Sequence, residues 1–381
     1  MSLTTYLDQE DLNLLTQFCA DEIRDFYSFL MQNHPNSPYA GAMTLFDLSA
    51  HKSLQNIVLQ LCKDKKQLFI EQLVKNGDAI DAHVHPVRVE VRTTNGCEGA
   101  SQIAARGIYN DFRRVTLKRF LEQPKFVDKG LSIKMSGKMS FEVNINGVDK
   151  ALPLLFLSQN YNTVLDVMGY KAGSMIDARK TPLVIAADAD GTTYGFPEAN
   201  KLPMLKESVA YKALLEFLEL GGVYMVITGN RMERSLKRFV NDVPRELRSR
   251  LIIAANGAAD MALVGEDGQF FSWPQYRHTA LVSRKNANNV DNFNVLYLGD
   301  DGSVHGNDFP GFDCVGVKRS IVVCPRNKTD ELLQEQSIGG HEDGTRKVLE
   351  LINADIKIKQ TGFELTEAYV TNLISQSLVK E

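Results

Sequence analysis

Residues 183–195 read LVIAADADGTTYG, an apolar run that ends on Asp188-Ala189-Asp190-Gly191-Thr192. Strand alternation puts Asp188 and Asp190 on the same side, although a turn at Gly191 can re-aim the second carboxylate. Two carboxylates this close repel each other unless a cation or a shared proton compensates, so such pairs collect at metal and acid–base sites. Polar residues also close three further apolar runs: VITGN at 226–230, RLIIAANGA at 250–258 and VLYLGDD at 295–301.

These four segments, in this order, resemble the haloacid dehalogenase superfamily of aspartate-nucleophile phosphohydrolases. DxDGT after an apolar strand matches its first motif, Thr228 its second, and Asp300 with Asp301 its acidic fourth; RLIIAANGA is similar to the third strand of the sugar-phosphatase-like branch. The resemblance covers roughly residues 181–325. It implies that Asp188 is the nucleophile and forms an aspartyl-phosphate, while Asp190 protonates the leaving group and later deprotonates water. It also implies Mg²⁺ held by Asp188, Asp190 (through its carbonyl) and Asp300, with Asp301 counted among the metal-site acids. Thr228, Gly229 and Asn230 would bind the phosphoryl oxygens, with Gly191 and Thr192 of the first motif beside them. The family's third motif is a Lys or Arg shortly before the fourth strand. Lys285 in HTALVSRKNANN is assigned that role, with Arg284 adjacent and Lys206 as an outside alternative. In GDDGSVHGND the second acid lies farther on than the family pattern has it, so Asp301 and Asp308 compete for the supporting position and His305 could reach substrate.

The elements that must position these residues follow from periodicity. From residue 181, short β-branched runs alternate with amphipathic helical stretches, which predicts an α/β fold with a doubly wound parallel sheet. Ligands of such sheets bind at the carboxyl ends of the strands. Few residues separate the motifs, so the core is expected to be nearly capless: either residues 1–180 fold over the site as a substitute lid or, the preferred reading, the site stays open to a phosphoprotein or another bulky phosphoester. Phe270, Phe271, Trp273 and Tyr276 could form an aromatic rim, against the plainer reading of hairpin packing. A sugar or nucleotide monophosphatase is the alternative, and a non-catalytic adaptor module the alternative from another class. The intact Asp188/Asp190 pair argues against the module.

Residues 1–180 are expected to form a helical and then α+β domain, followed by the phosphatase core with a C-terminal helical extension over 181–381. Leu12, Leu15, Cys19, Ile23, Phe26 and Leu30 recur at helical spacing, as do Leu54, Ile57, Val58, Leu61 and Cys62, continued by Phe69 and Leu73. VRVEVRTT (87–94) alternates like a strand, and SFEVNINGVDKALPLLFL reads as a hairpin turning at Asn146-Gly147. Residues 101–140 hold nine Lys/Arg against three acids, a local +6 that could meet an anionic partner or simply be a solvated face.

DAHVHP (81–86) resembles an amidohydrolase His pair, but the other histidines show no barrel-like spacing, and a loop is the better reading. GGHEDGT (339–345) opens a helix without the Lys of a P-loop, so it reads as a cap or site-rim loop. The 381 residues carry a formal net charge of −4, which disfavours a globally basic nucleic-acid or membrane-surface binder. Five scattered cysteines draw no disulfide framework. No apolar run approaches the roughly 20 residues of a membrane span. MSLTTYLDQEDLNLL lacks a secretory pattern, so a cytoplasmic location is expected.

Overall fold

In the computed structural model, the described residues are 7–33, 67–69, 115–136, 140–145, 147–169, 182–196, 203–255, 257–273, 276, 294–304, 306–359 and 365–378. The chain divides into two compact units, Met1–Asn146 and Gly147–Glu381. That division lies ahead of the boundary near residue 180 that the sequence suggests.

In the first unit, helix α1 (Gln9–Asn33) buries Leu12, Leu15 and Cys19, the start of the expected apolar stripe. Phe18 meets Phe120 and Phe126 edge-on, at centroid distances of 5.6 and 5.5 Å. Strand β1 (Gln67–Phe69) pairs antiparallel with β3 (Ser140–Ile145), which pairs with β2 (Leu131–Ser136). Phe69 therefore belongs to a strand and not to the helix that its spacing suggests. Stripe 54–62, strand 87–94 and DAHVHP lie outside the described residues.

Four of the nine bases in the basic segment are paired within the same unit. Arg119 pairs with Glu22 and Asp25, Lys125 with Glu10, Lys129 with Asp8 and Asp11, and Lys118 with Glu122. Of these acids, Glu10, Asp11, Glu22 and Asp25 project from α1, and Asp8 directly precedes it. Arg106, Arg113, Arg114 and Lys138 lie outside the described residues.

The second unit opens with helix α3 (Ala151–Val167), after the short α2 (Pro124–Asp128) of the first. Residues 151–157 are the second arm of the expected hairpin, and here they are helical. An apolar run buried on most sides carries no periodicity to separate strand from helix. Pro153 is tolerated in the first turn, where its missing N–H is not required.

Among the described residues the sheet of the second unit has seven strands, in the order β10-β9-β4-β5-β6-β7-β8. Strands β4 (Val184–Asp188), β5 (Val223–Ile227), β6 (Leu251–Ala255), β9 (Val295–Gly299) and β10 (Ser320–Val322) are parallel. Strands β7 (Asp260–Val264) and β8 (Phe270–Ser272) extend it antiparallel at one edge. The architecture is α/β with a mostly parallel sheet.

Alternation along β4 sorts its side chains into two cores. Ile185 and Ala187 face α4 (Tyr211–Glu219), α7 (Glu342–Lys359) and α8 (Glu367–Ser377), through Leu214, Phe217, Val348, Ile352 and Val370. Val184 and Ala186 face α3 and α6 (Phe309–Val315), through Leu152, Phe156 and Phe312. Helices therefore cover both faces, as buried parallel strands require. Among the described residues no helix is long and apolar enough to cross a membrane.

Candidate active site

Because β4, β5 and β9 are parallel neighbours in register, their carboxyl ends carry Asp188, Thr228 and Asp300 to one edge of the sheet. Asp188 continues the Val184–Ala186 face, the one that α3 covers. Lys150, at the turn immediately before α3, puts its Nζ 2.7 Å from Asp188 Oδ1 and 2.6 Å from Asp308 Oδ1. Asp308 is fully buried and also accepts from the Tyr297 hydroxyl at 2.7 Å and the Asp301 amide at 2.9 Å. A side chain on Gly299 would meet Asp308 at 2.7 Å, so glycine at the end of β9 lets this carboxylate come in close.

Asp188, Asp300 and Asp308 each offer an oxygen within 4.8 Å of the others. Burial, together with the neighbouring carboxylates, pushes Asp188 up to about 7 although Lys150 opposes the shift, and holds Asp300 well above the usual carboxylate range. Burial alone would lower Lys150, but Asp188 and Asp308 outweigh it and hold the ammonium well above its ordinary value. An all-oxygen, acid-rich set in a confined space suits a hard divalent cation such as Mg²⁺. The three aspartates fit one.

The turn after β4 sends Asp190 elsewhere. Gly191 adopts φ +84°, its N–H donates to the Tyr194 carbonyl at 2.8 Å, and a Cβ there would meet Asp300 Oδ2 at 2.6 Å as well as the Phe196 ring. Asp190 Oδ1 then lies 2.6 Å from Arg238 Nη2, and Asn230 Nδ2 donates to Oδ2 at 3.2 Å. Arg238, at the end of α5 (Met232–Arg238), is fixed by the Pro203 carbonyl at 3.0 Å and lies over the Tyr194 ring at 4.4 Å. The Thr228 hydroxyl accepts from the Asn230 amide at 3.1 Å and from its side chain at 3.0 Å. Gly229 is exposed beside them. Thr192 donates to Asp300 over a long 3.4 Å, and Thr193, behind the loop, donates to the Asp188 carbonyl at 2.6 Å.

The structure thus brings Asp188, Asp190, Gly191, Thr192, Thr228, Gly229, Asn230 and Asp300 to one edge. The Asp301 carboxylate instead accepts from the Ser303 and Asn307 amides of its own loop, at 3.2 and 3.1 Å, and Asp308 takes the inner position. Lys206 lies on the exposed flank 4.0 Å from Asp242. Lys285, Arg284 and His305 lie outside the described residues. Of the aromatic rim, Tyr276 is buried and donates to the Ala258 carbonyl at 2.6 Å, while Trp273 packs on Phe156; Phe271 is exposed. The GGHEDGT loop does reach the site's flank: His341 meets Phe196 edge-on at 5.0 Å.

Sequence reasoning missed two cations, Lys150 and Arg238. Arg238 leaves only a faint signal, a basic residue in the last turn of the helix that follows the Thr228 loop. Lys150 leaves none.

No protein-family model matches the chain, and no curated protein sequence matches it. Among solved structures, the chain is similar to an N-terminally truncated IMP-nucleotidase from Plasmodium falciparum, with 10% identity and a TM-score of 0.27. The alignment covers 48% of this chain and 81% of that one. A likeness this small carries no argument about fold or activity.

Proposed function

We infer that the protein is a phosphomonoester hydrolase that works through an aspartyl-phosphate on Asp188, in the manner of the haloacid dehalogenase superfamily. One observation carries this reading: the ends of three adjacent parallel strands bring a carboxylate pair, a threonine hydroxyl and a third carboxylate to one edge of the sheet. Phosphoryl transfer asks for an in-line nucleophile, compensation of phosphate charge and a proton for the leaving oxygen.

Asp188 attacks phosphorus, the bond from phosphorus to the leaving oxygen breaks, and Asp190 gives that oxygen its proton. Water then attacks the aspartyl-phosphate, Asp190 takes the water's proton, and the bond from Asp188 to phosphorus breaks to release phosphate. Arg238 and Asn230 fix the orientation of the Asp190 carboxylate. The Thr228 hydroxyl and the exposed loop that follows it receive the phosphoryl oxygens. Mg²⁺, held by Asp188 and Asp300 with Asp308 completing the oxygen set, would supply charge compensation for the phosphate dianion.

No cap domain stands between β4 and β5 among the described residues, which supports an open site for a bulky phosphoester. A second reading, a small-metabolite phosphatase, draws on the Phe196–His341 contact, which walls one flank of the Gly191 turn. Turnover of p-nitrophenyl phosphate with Mg²⁺ tests the shared chemistry. Activity is expected, with kcat reduced at least about 1,000-fold in Asp188→Asn; inactivity of the wild type across pH and metals would refute it. Phosphopeptides set against sugar and nucleotide monophosphates then separate the two substrate readings.

A further inference from the structure

We propose that Lys150, from a turn ahead of the first core strand, is the catalytic cation of this site and sets the affinity of the aspartate trio for a divalent metal. The proposal rests on the phosphatase reading above, and it departs from the family pattern, which takes its cation from the chain just before the fourth strand.

Lys150 is presented by a rigid element. The Asp149 side chain accepts from the Ala151 amide at 2.9 Å and its carbonyl accepts from the Leu152 amide at 2.9 Å, so the turn before α3 is closed on itself. Leu152, Leu154, Phe156 and Leu157 then bury α3 against the sheet. An ammonium is rarely placed in the interior, because leaving water costs several kcal/mol unless close partners offset it. Here the partners are specific: the nucleophile's carboxylate and Asp308, with the Asn307 side chain at 3.3 Å. Asp308 also receives the Tyr297 hydroxyl and the Asp301 amide, which fix its carboxylate beside the lysine within the trio.

Charge counting gives this arrangement its function. Three carboxylates and one ammonium leave a formal charge of −2 in the cluster, which one divalent cation cancels. Lys150 therefore lowers the trio's appetite for metal to a level at which a phosphate dianion can still approach. It also fixes one oxygen of the Asp188 carboxylate, and so its orientation toward phosphorus. A surface lysine would do neither.

The test compares wild type, Lys150→Met and Lys150→Arg as full-length chains. Mn²⁺ binding is measured by calorimetry without substrate, and kcat with p-nitrophenyl phosphate and Mg²⁺. Lys150→Met is expected to bind Mn²⁺ at least about tenfold more tightly, since a like charge a few ångströms away has been removed. Its kcat is expected to fall about 100-fold or more, and Lys150→Arg to recover part of both properties. Wild-type kcat in Lys150→Met, or unchanged Mn²⁺ affinity, would overturn the proposal. A purely structural lysine would lower activity and weaken metal binding together, the opposite sign. If Lys150→Met does not fold, Lys150→Gln is read by the same two criteria. A wild type without turnover would defeat the phosphatase reading, and Mn²⁺ affinity would then decide the role of Lys150 alone.

Discussion

The two units contain lysine–carboxylate pairs of nearly identical length and opposite character. In the first unit, Lys125 lies 2.7 Å from Glu10, with side chains 58% and 80% exposed. In the second, Lys150 lies 2.6 Å from Asp308, with side chains 7% and 0% exposed. Other lysine-bound acids of the two groups, Asp8 and Asp188, shift in opposite directions. Asp8, whose carboxylate receives the Asp11 amide and Lys129 in solvent, is held below its ordinary value, whereas burial drives Asp188 up to about 7 against the pull of Lys150. Distance alone therefore says little about what an ion pair does. Water around the first group of pairs screens them, and they serve to neutralise a basic segment. Removing water from the second group turns the same chemistry into a buried acid cluster whose carboxylates hold their protons to higher pH.

The comparison breaks most sharply at Asp308. Asp308→Ala strips Lys150 of one partner inside the protein and is expected to destabilise the fold by about 3–5 kcal/mol. Chemical denaturation measures it, and a cost below about 1 kcal/mol would mean that water reaches the lysine.

Next in size is the pH dependence of the metal-free protein. Asp188 and Asp300 have folded-state values raised above their ordinary 3.8, so the folded state binds their protons more tightly than the unfolded chain does. For Asp188 the associated stability is present below about pH 4 and is lost as pH rises through about 7, and Asp300 acts in the same direction. Metal-free melting temperature should fall over that window. Asp300→Asn should reduce the fall and stabilise the metal-free protein at pH 7. A flat profile in the wild type would contradict the crowding of the trio.

The smallest effect belongs to the exposed pair. Lys125→Ala is expected to change stability by less than about 0.5 kcal/mol, and a loss of more than about 1 kcal/mol would erase the contrast with Lys150.

The parallel strands and their polar ends were legible because buried β-branched runs stop abruptly at Asp188, Thr228 and Asp300, and parallel pairing does the rest. Helix 151–167 was not, since ALPLLFL is apolar throughout and its burial, not its pattern, decides the conformation. Nor could spacing say which acid of GDDGSVHGND turns inward. Asp301 is claimed by two amides of its own loop, while the missing Cβ of Gly299 makes room for Asp308. Lys150 was illegible for a different reason. Its meeting with Asp188 depends on which face of the sheet α3 covers, a tertiary fact with no local signature.

The central claim, that Asp188 becomes phosphorylated during turnover, is tested most directly by acid-quenching the enzyme with p-nitrophenyl phosphate and Mg²⁺ and mapping the modified peptide by mass spectrometry. One phosphoryl group on the peptide carrying Asp188, absent in Asp188→Asn, is the result predicted; steady turnover with that peptide unmodified, or with Asp188→Asn fully active, would contradict it.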